Sequence, residues 1–377
     1  MRICFISRSL PEPLILNQYL HLGPDFEIEV LVAASPESSS REIFALPDKE
    51  PSHASIKLRH LAANRDGDLK RKEVLQYATS ADVIQSLDGS LHMMNLLSEI
   101  REKYACRTVV NVLTNCVPCE PLEAEEKERA RALYQQIHAF LVHSRGARRF
   151  LLMSDVPEAK VHLIPPGVES SVVEGKEPDP SVARALGITE SHFVVVAWCP
   201  LRWESGVYEI LGAAKEILRW GKQDRIRILV FGIGPERESL RKWIRTENLG
   251  SFVAVGSDPH PSRVGGILGL TDLFVVPSIP TREWSEPLPM RMLLAMAAGV
   301  PVVASHIGEI PDFLSNGGIL IPPRQHYDLA DAIVRFSENP GNLLPYSRAA
   351  KARAKDQFDV KQTAIRLRRF YEELLEA

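Results

Sequence analysis

Short β-branched segments alternate with longer amphipathic segments along the chain, and the alternation occurs in two successive series. The first series contains predicted strands at residues 2–7, 28–33, 83–85, 108–113, 140–142 and 161–164, with predicted helices at 92–104 and 123–136. The second contains predicted strands at 193–197, 226–231, 252–255, 273–276, 301–304 and 318–321, with predicted helices at 207–220, 235–247, 289–298 and 328–337. Apolar strands separated by helices are typical of parallel sheets covered on both faces. The sequence therefore predicts an α/β protein with two doubly wound, Rossmann-like sheets.

A segment without apolar periodicity separates the two series. Residues 165–180 read PPGVESSVVEGKEPDP and are rich in proline, glycine and charge, which is typical of a linker. A chain of 377 residues is also long for one domain. We therefore expect an N-terminal domain at 1–168 and a C-terminal domain at 169–360. A final amphipathic helix is predicted at 361–376, with an apolar face that contains Ile365, Leu367, Phe370, Tyr371 and Leu374.

Charge and hydropathy argue against several classes of protein. The formal net charge is −3 and the pI is about 6.4, which argues against a broad basic surface for nucleic acid or anionic membrane. No apolar run approaches the ~20 residues that span a bilayer, and the first residues, MRICFISRSLPEP, are too polar after Ser7 for a signal peptide. We therefore expect a cytoplasmic protein without a transmembrane segment, while peripheral membrane contact stays open.

Cysteine usage gives no sign of a metal or a disulfide framework. Five cysteines are few for a disulfide scaffold in a chain of this length. Cys116 and Cys119 form a single CxxC pair, and no second pair completes a zinc site. We expect neither a metal site nor a cofactor.

A glycine-containing turn, FGIGPE, lies at 231–236 between a predicted strand and a predicted helix. Gly232 and Gly234 permit a tight turn, and the N-terminus of the following helix favours an anion. Ordinary strand–helix turns have the same pattern, so an anion site and a structural turn both stay open. A dinucleotide-binding turn fits poorly, because Arg237 stands where that pattern has a third small residue.

Six motifs from residue 161 onward occur in a characteristic order. They are VHLIPPGVE at 161–169, LRWESG at 201–206, TDLFVVPS at 271–278, the small-residue helix and strand at 295–305, HIGEIP at 306–311 and GILIPP at 318–323. In this order and spacing they resemble the family 4 retaining glycosyltransferases of GT-B fold. The resemblance is strong over 160–377 and thinner over 1–159, where residues 81–84 and Ser144 carry it.

The resemblance implies two Rossmann-like domains that face each other across a cleft, with the C-terminal helix at 361–377 packed back on the first domain. A nucleotide-linked sugar donor would bind to the second domain and the acceptor mainly to the first. The implied reaction is sugar transfer with retention, as in carbohydrate biosynthesis. It needs cations at the diphosphate, carboxylates at the donor hydroxyls and a dry cleft, and it generally needs no metal.

The chain departs from the family pattern at the donor site. Glu286 matches the first carboxylate of an E-x7-E pair and would lie near the transferred sugar, but Leu294 replaces the second, which grips the ribose hydroxyls. Pro289 replaces the glycine between them. Pro200 and Ser205 replace the arginine and lysine of the diphosphate site, and the loss of two charged hydrogen bonds could cost about 3–6 kcal/mol. The family histidine is also missing after strand 108–113, near Asn115.

Other residues could compensate for these losses. Arg202 lies between the two vacated diphosphate positions, and Arg291 lies between Glu286 and Leu294; arginine binds phosphate in a bidentate way. Our candidate catalytic residue is Glu286. The candidate donor-binding residues are Arg202, Gly232, Gly234, Ser257 and Arg291. His260 and Arg263, in the loop after Gly256, could also touch a base or a phosphate.

Two functions of different class follow. The first is an active glycosyltransferase with an altered donor site, acting on an unidentified acceptor; family membership favours it. The second is a non-catalytic homologue that serves as a binding or scaffold subunit, with an active glycosyltransferase as its partner; the several losses at the donor site favour it.

Overall fold

The computed structural model describes residues 1–8, 13–33, 53–62, 69–87, 89–112, 124–174, 177–185, 187–281 and 289–376. The chain forms two compact units, one of Met1–Gly167 together with Val360–Ala377 and one of Val168–Asp359. The division after Gly167 falls inside the linker-like segment 165–180.

The first unit contains a seven-stranded parallel sheet. Its strands are β1 (Arg2–Ser7), β2 (Glu27–Ala33), β3 (Ser55–Leu61), β4 (Val83–Ser86), β5 (Arg107–Val112), β6 (Ala139–Val142) and β7 (Val161–Leu163). Their order is β3-β2-β1-β4-β5-β6-β7. The helices between them are α1 (Pro13–Leu20), α2 (Arg71–Ala78), α3 (Leu91–Lys103), α4 (Ala124–Gln136) and α5 (Arg145–Met153). Apolar clusters on both faces of the sheet form the core of this unit.

The second unit contains a six-stranded parallel sheet. Its strands are β8 (Phe193–Trp198), β9 (Ile226–Phe231), β10 (Val253–Gly256), β11 (Leu273–Val276), β12 (Val302–Ser305) and β13 (Gly318–Ile321). Their order is β10-β9-β8-β11-β12-β13. The helices are α6 (Pro180–Ala185), α7 (Val207–Arg219), α8 (Arg237–Thr246), α9 (Pro261–Gly269), α10 (Met290–Ala297), α11 (Ile310–Leu314), α12 (His326–Glu338) and α13 (Leu344–Phe358).

The strand order of both sheets confirms the predicted doubly wound architecture. In each sheet the chain first builds outward in one direction and then returns to the first strand to build in the other. The direction reverses between β1 and β4 in the first sheet and between β8 and β11 in the second. Parallel sheets of this kind bind ligands outside the carboxyl ends of the strands at the point of reversal. The fold therefore predicts a ligand site at the carboxyl ends of β8 and β11 in the second unit.

The last helix, α14 (Val360–Glu376), packs in the core of the first unit. Tyr371 is fully buried and donates a hydrogen bond to Gln85 Oε1 over 2.6 Å. Arg368 binds the Asp25 carboxylate at 2.7 Å. The predicted apolar face is correct at Leu367, Phe370 and Tyr371 and wrong at Ile365, which is 57% exposed. One residue turns the helix by about 100°, so Ala364 lies on the buried face and Ile365 lies outside it.

Strand β3 is absent from the predicted strands. Its sequence, SIKLRHL, is mostly exposed or half-buried, because β3 pairs with β2 at the edge of the sheet. An edge strand needs no continuous apolar run, and the apolar pattern therefore contains no signal for it.

A buried histidine, His143, follows the carboxyl end of β6. Its side chain is 2% exposed, and its Nδ1 lies 2.8 Å from the backbone oxygen of Ile164. Because a carbonyl oxygen only accepts, Nδ1 carries the proton. Burial lowers the pKa of His143 to about 4, since a charged imidazole would lose its hydration.

This histidine should make the fold sensitive to mild acid. The pKa is lower in the folded chain than in the unfolded chain, where it is about 6.5. The unfolded chain therefore binds the proton first, and the contribution to stability is complete above pH 6.5 and is lost as the pH falls toward 4. We expect the wild type to lose about 2 kcal/mol more between pH 7 and pH 5 than His143→Asn, in which Nδ2 keeps the bond to Ile164. Urea denaturation at both pH values measures the difference; equal losses in the two proteins would contradict it.

Two features are absent from the described ranges. No helix in these ranges has the length and apolar character that a membrane span requires. No three histidine, cysteine, aspartate or glutamate side chains of these ranges are grouped so that they could hold a metal ion.

Candidate functional site

Two loops meet at the carboxyl ends of β8 and β11. The first, residues 199–206, contains a short 3-10 helix at Trp203–Ser205 and leads into α7. The second begins at Pro277 and leads toward α10. The backbone N–H of Ile279 donates to the oxygen of Glu204 over 2.7 Å. The two loops that follow β8 and β11 are thus in direct contact at the point where the strand order reverses.

Gly206 permits this contact. Its φ is +74°, and a Cβ at this position would lie 1.9 Å from the backbone oxygen of Pro277. No other residue type fits there without displacing the second loop. This explains a glycine at the end of LRWESG, one of the motifs on which the resemblance rests.

Gly232 and Gly234 bring the turn after β9 against the loop after β8. A Cβ on Gly232 would lie 1.9 Å from the backbone oxygen of Cys199, and one on Gly234 would lie 2.3 Å from that of Leu201. The backbone N–H of Leu201 donates to the oxygen of Ile233 over 2.9 Å. Both glycines therefore have a packing role, and their role in donor binding stays a prediction.

Arg202 lies at the exposed surface of the first loop. Its side chain is 61% exposed, and its guanidinium lies 3.7 Å from a carboxylate oxygen of Glu204. Its neighbours at the vacated diphosphate positions differ in exposure, since Pro200 is exposed and Ser205 is buried. Arg202 is thus accessible to a ligand, with one carboxylate beside it.

Arg291 lies in the first turn of α10, beside an aromatic ring that the sequence interpretation did not include. Its Cζ is 5.3 Å from the ring centroid of Trp198, the last residue of β8. The indole Nε1 of Trp198 in turn donates to Asp258 Oδ1 over 2.8 Å. Asp258 follows β10 and is the neighbour of the candidate Ser257, which is exposed. The loop after β10 and the first turn of α10 thus both contact Trp198, and α10 contributes a cation.

The helix α10 carries Leu294, the residue that replaces the second carboxylate of the E-x7-E pair. Leu294 is 2% exposed, as expected for a packed residue. Pro289 precedes the first turn of α10 and is buried. The candidate catalytic residue, Glu286, lies outside the described residues, as does Asn115.

The two further candidates in the loop after β10 have structural partners. His260 lies at the N-terminus of α9, where its Nδ1 is 2.8 Å from Ser262 Oγ. Arg263 donates to Asp179 Oδ2 over 3.0 Å. Hydrogen bonds from Ser181 and from Arg263 lower the pKa of Asp179. The Arg263–Asp179 contact holds α9 to the segment before α6, and His260 caps the N-terminus of α9, so both residues have a role in the fold.

A pocket of about 870 Å³ lies elsewhere in the second unit. Residues of β13, α12 and α13 line it, among them Asp328, Arg335 and Tyr346. β13 is the edge strand of its sheet and is separated from β11 by β12. The pocket is therefore distinct from the loops at the point of reversal, and no predicted site residue lines it.

The next histidine along the chain after the missing family position, His138, lies at the amino end of a strand. His138 immediately precedes β6, and its Nδ1 accepts from the backbone N–H of Thr108 over 3.0 Å. Burial, helped by nearby arginine and lysine, lowers its pKa to about 4. His138 lies at the amino edge of the first sheet, so it cannot replace a histidine expected at the carboxyl edge.

Residues 192–339 match the family model described as "Glycosyl transferases group 1". The chain is 30% identical over 165 residues to a putative colanic acid biosynthesis glycosyltransferase, WcaL, of Salmonella typhimurium. This alignment covers 43% of this chain and 40% of that protein. It is 24% identical over 243 residues to the amylovoran biosynthesis glycosyltransferase AmsK of Erwinia amylovora, covering 63% of this chain and 56% of the relative. The chain thus aligns with only about half the length of these relatives.

Solved structures match over nearly the whole chain. The Anabaena protein Alr3699/HepE, in complex with UDP and glucose, has a TM-score of 0.78 at 17% identity, covering 98% of this chain and 99% of that one. Sucrose-phosphate synthase from Thermosynechococcus elongatus has a TM-score of 0.75 at 16% identity, covering 100% and 99%. At this identity the likeness concerns the fold. The chain therefore has the GT-B fold, and its residues 192–339 match a glycosyl transferase group 1 domain.

Proposed function

We propose that the chain is a glycosyltransferase that moves a sugar from a nucleotide-linked donor to an acceptor, with retention of configuration. The observation that carries the proposal is the match of residues 192–339 to the group 1 domain. This range includes both loops at the point of reversal in the second sheet, together with Arg202 and Arg291. Retention follows from the resemblance to family 4.

The chemistry requires stabilisation of the leaving group. When the sugar departs, negative charge grows on the nucleoside diphosphate, and fixed donors at that position lower the barrier. Arg202 and Arg291 are two cations near the loops at the carboxyl edge of the second sheet. Glu286 is the carboxylate that the resemblance places beside the transferred sugar. In this proposal the arginines take the part of the missing family cations.

The altered donor site leaves a second candidate function, a non-catalytic binding subunit. The observation that favours it is the burial of Leu294, since a buried leucine offers no hydrogen bond to a ribose. Unlike the first proposal, it predicts that nucleoside diphosphates do not stabilise the second unit against unfolding.

Arg202→Ala should lower the turnover of sugar transfer by at least about two decades, the scale seen when one fixed donor is removed. It should leave the free energy of unfolding nearly unchanged, because an exposed ion pair contributes little to stability. The assay measures release of nucleoside diphosphate from a panel of nucleotide sugars. Arg241→Ala, which removes a half-exposed arginine paired with Glu238 on α8, is the control and should keep wild-type turnover.

Unchanged turnover in Arg202→Ala would exclude this arginine as the replacement cation. Equal losses in both variants would point instead to a general effect of lowered positive charge.

A further inference from the structure

Trp198, Asp258 and Arg291, here named the Trp198 cluster, come together from three separate elements. Trp198 ends β8, Asp258 is the second residue after β10, and Arg291 is the second residue of α10. All three belong to the second unit. Because they lie at the carboxyl edge of one sheet, they converge where a parallel sheet of this order binds its ligand.

The contacts within the cluster fix the plane of the indole ring. The N–H of Trp198 donates to Asp258 Oδ1 over 2.8 Å, and this bond sets the rotation of the ring. The guanidinium of Arg291 lies over the ring, 5.3 Å from its centroid. A guanidinium above an indole gains about 0.5–2 kcal/mol from the ring's negative face. The cluster therefore restrains one arginine side chain that would otherwise sample many rotamers.

The position of Arg291 on α10 indicates which kind of ligand group the cluster favours. Arg291 precedes Leu294 by three residues, so the two lie on the same side of the helix. Leu294 is buried, while Arg291 and Trp198 are both half-exposed. A cation thus stands on the side of α10 where the related pattern has a carboxylate. An anionic group of a ligand is favoured at this position, and a neutral diol is not.

We propose that the Trp198 cluster is an oxyanion site for the phosphate groups of the donor, in which Arg291 binds the phosphate and Trp198 and Asp258 are positioning residues. The inference rests on the proposed function, because it assigns a binding role within the same donor site. Arginine suits this role, since its planar fork meets two phosphate oxygens at once. A fixed guanidinium also loses less side-chain entropy on binding than a mobile one.

The test measures the dissociation constants of uridine diphosphate and of uridine by calorimetry. Loss of one charge-assisted contact corresponds to about 10- to 100-fold in affinity. Arg291→Ala should therefore raise the dissociation constant of uridine diphosphate by at least about 10-fold. It should change the dissociation constant of uridine, which has no phosphate, by less than about 2-fold. Arg291→Lys keeps the charge and should recover part of the loss.

Variants at Trp198 separate positioning from mere packing. Trp198→Leu removes the ring face and the N–H, and it should weaken the binding of uridine diphosphate nearly as much as Arg291→Ala does. Adding it to Arg291→Ala should have little further effect, because both changes remove one interaction. Trp198→Phe keeps a ring face and loses only the bond to Asp258, so its loss should be intermediate. Trp220→Leu, at an exposed tryptophan after α7, is the matched control and should bind as the wild type.

The outcomes distinguish failure of the inference from failure of the proposed function. If the wild type binds uridine diphosphate and Arg291→Ala binds it equally well, the Trp198 cluster is not a phosphate site, and the proposed function stands. Equal weakening of uridine and uridine diphosphate would also overturn the inference, since it would indicate a distorted pocket. If the wild type binds none of uridine, guanosine and adenosine diphosphate at millimolar concentration, the proposed function fails, and the inference fails with it.

Discussion

Gly206→Ala should lower the free energy of unfolding by about 3 kcal/mol or more and should abolish nucleotide binding. Two effects add at this position. The φ of +74° is strained for any residue with a Cβ, and the new Cβ would lie 1.9 Å from the oxygen of Pro277. Backbone strain and overpacking each cost about 1–3 kcal/mol. Because the atom it meets belongs to the backbone, the two loops at the point of reversal must separate.

Two other glycines of the second unit isolate these effects. Gly221 has a φ of +66°, but a Cβ at this position would have no atom within 4 Å, so Gly221→Ala should cost only the strain, about 1–2 kcal/mol. Gly341 has neither positive φ nor a close neighbour, and Gly341→Ala should leave stability unchanged or slightly raised. Urea denaturation gives all three values. If Gly206→Ala cost no more than Gly221→Ala, the close approach of the two loops would be refuted.

Glu286→Gln should lower the turnover of sugar transfer by two to three decades, in line with the loss of one preorganised electrostatic group. Glutamine keeps the size of the side chain and its hydrogen-bonding oxygen, and it removes the charge that the resemblance places beside the transferred sugar. The dissociation constant of the nucleoside diphosphate should change by less than about 3-fold, since the charge acts mainly in the transition state. The measurement is initial-rate kinetics together with calorimetry on the same variant.

Glu238→Gln removes an exposed carboxylate on α8 and is the control for Glu286→Gln; it should have wild-type kinetics. A variant Glu286→Gln with unchanged turnover would remove this residue from the reaction and leave the chain without a candidate catalytic carboxylate.

The strand pattern could be predicted because buried parallel strands are apolar along their whole length. The predicted helix 207–220 and the observed Val207–Arg219 differ by one residue, because the buried positions of α7 recur with helical spacing from Val207 to Ile217. The same reasoning failed at β3, where an edge position removes the apolar requirement. It also failed at Ile365, where one residue of rotation separates a buried face from an exposed one.

Contacts around the candidate site could be predicted only where the residues lie in one motif. Gly232 and Gly234 stand close together in FGIGPE, and their close approach to Cys199 and Leu201 agrees with a tight turn. Trp198 and Asp258 are 60 residues apart in the sequence, and their hydrogen bond depends on the adjacency of β8, β9 and β10. No local pattern contains that information, although a tryptophan at the end of a central strand is a signal that could have been followed.

The central claim is that the second unit binds the nucleotide of a sugar donor. Unfolding by urea, measured with and without uridine, guanosine or adenosine diphosphate, tests it most directly. At a concentration of 100 times its dissociation constant, the correct nucleotide should raise the free energy of unfolding by about 2.7 kcal/mol, and the corresponding nucleotide sugar should release nucleoside diphosphate on incubation. No stabilisation by any of the three at millimolar concentration, together with no release from their sugar derivatives, would contradict the claim and support a non-catalytic subunit.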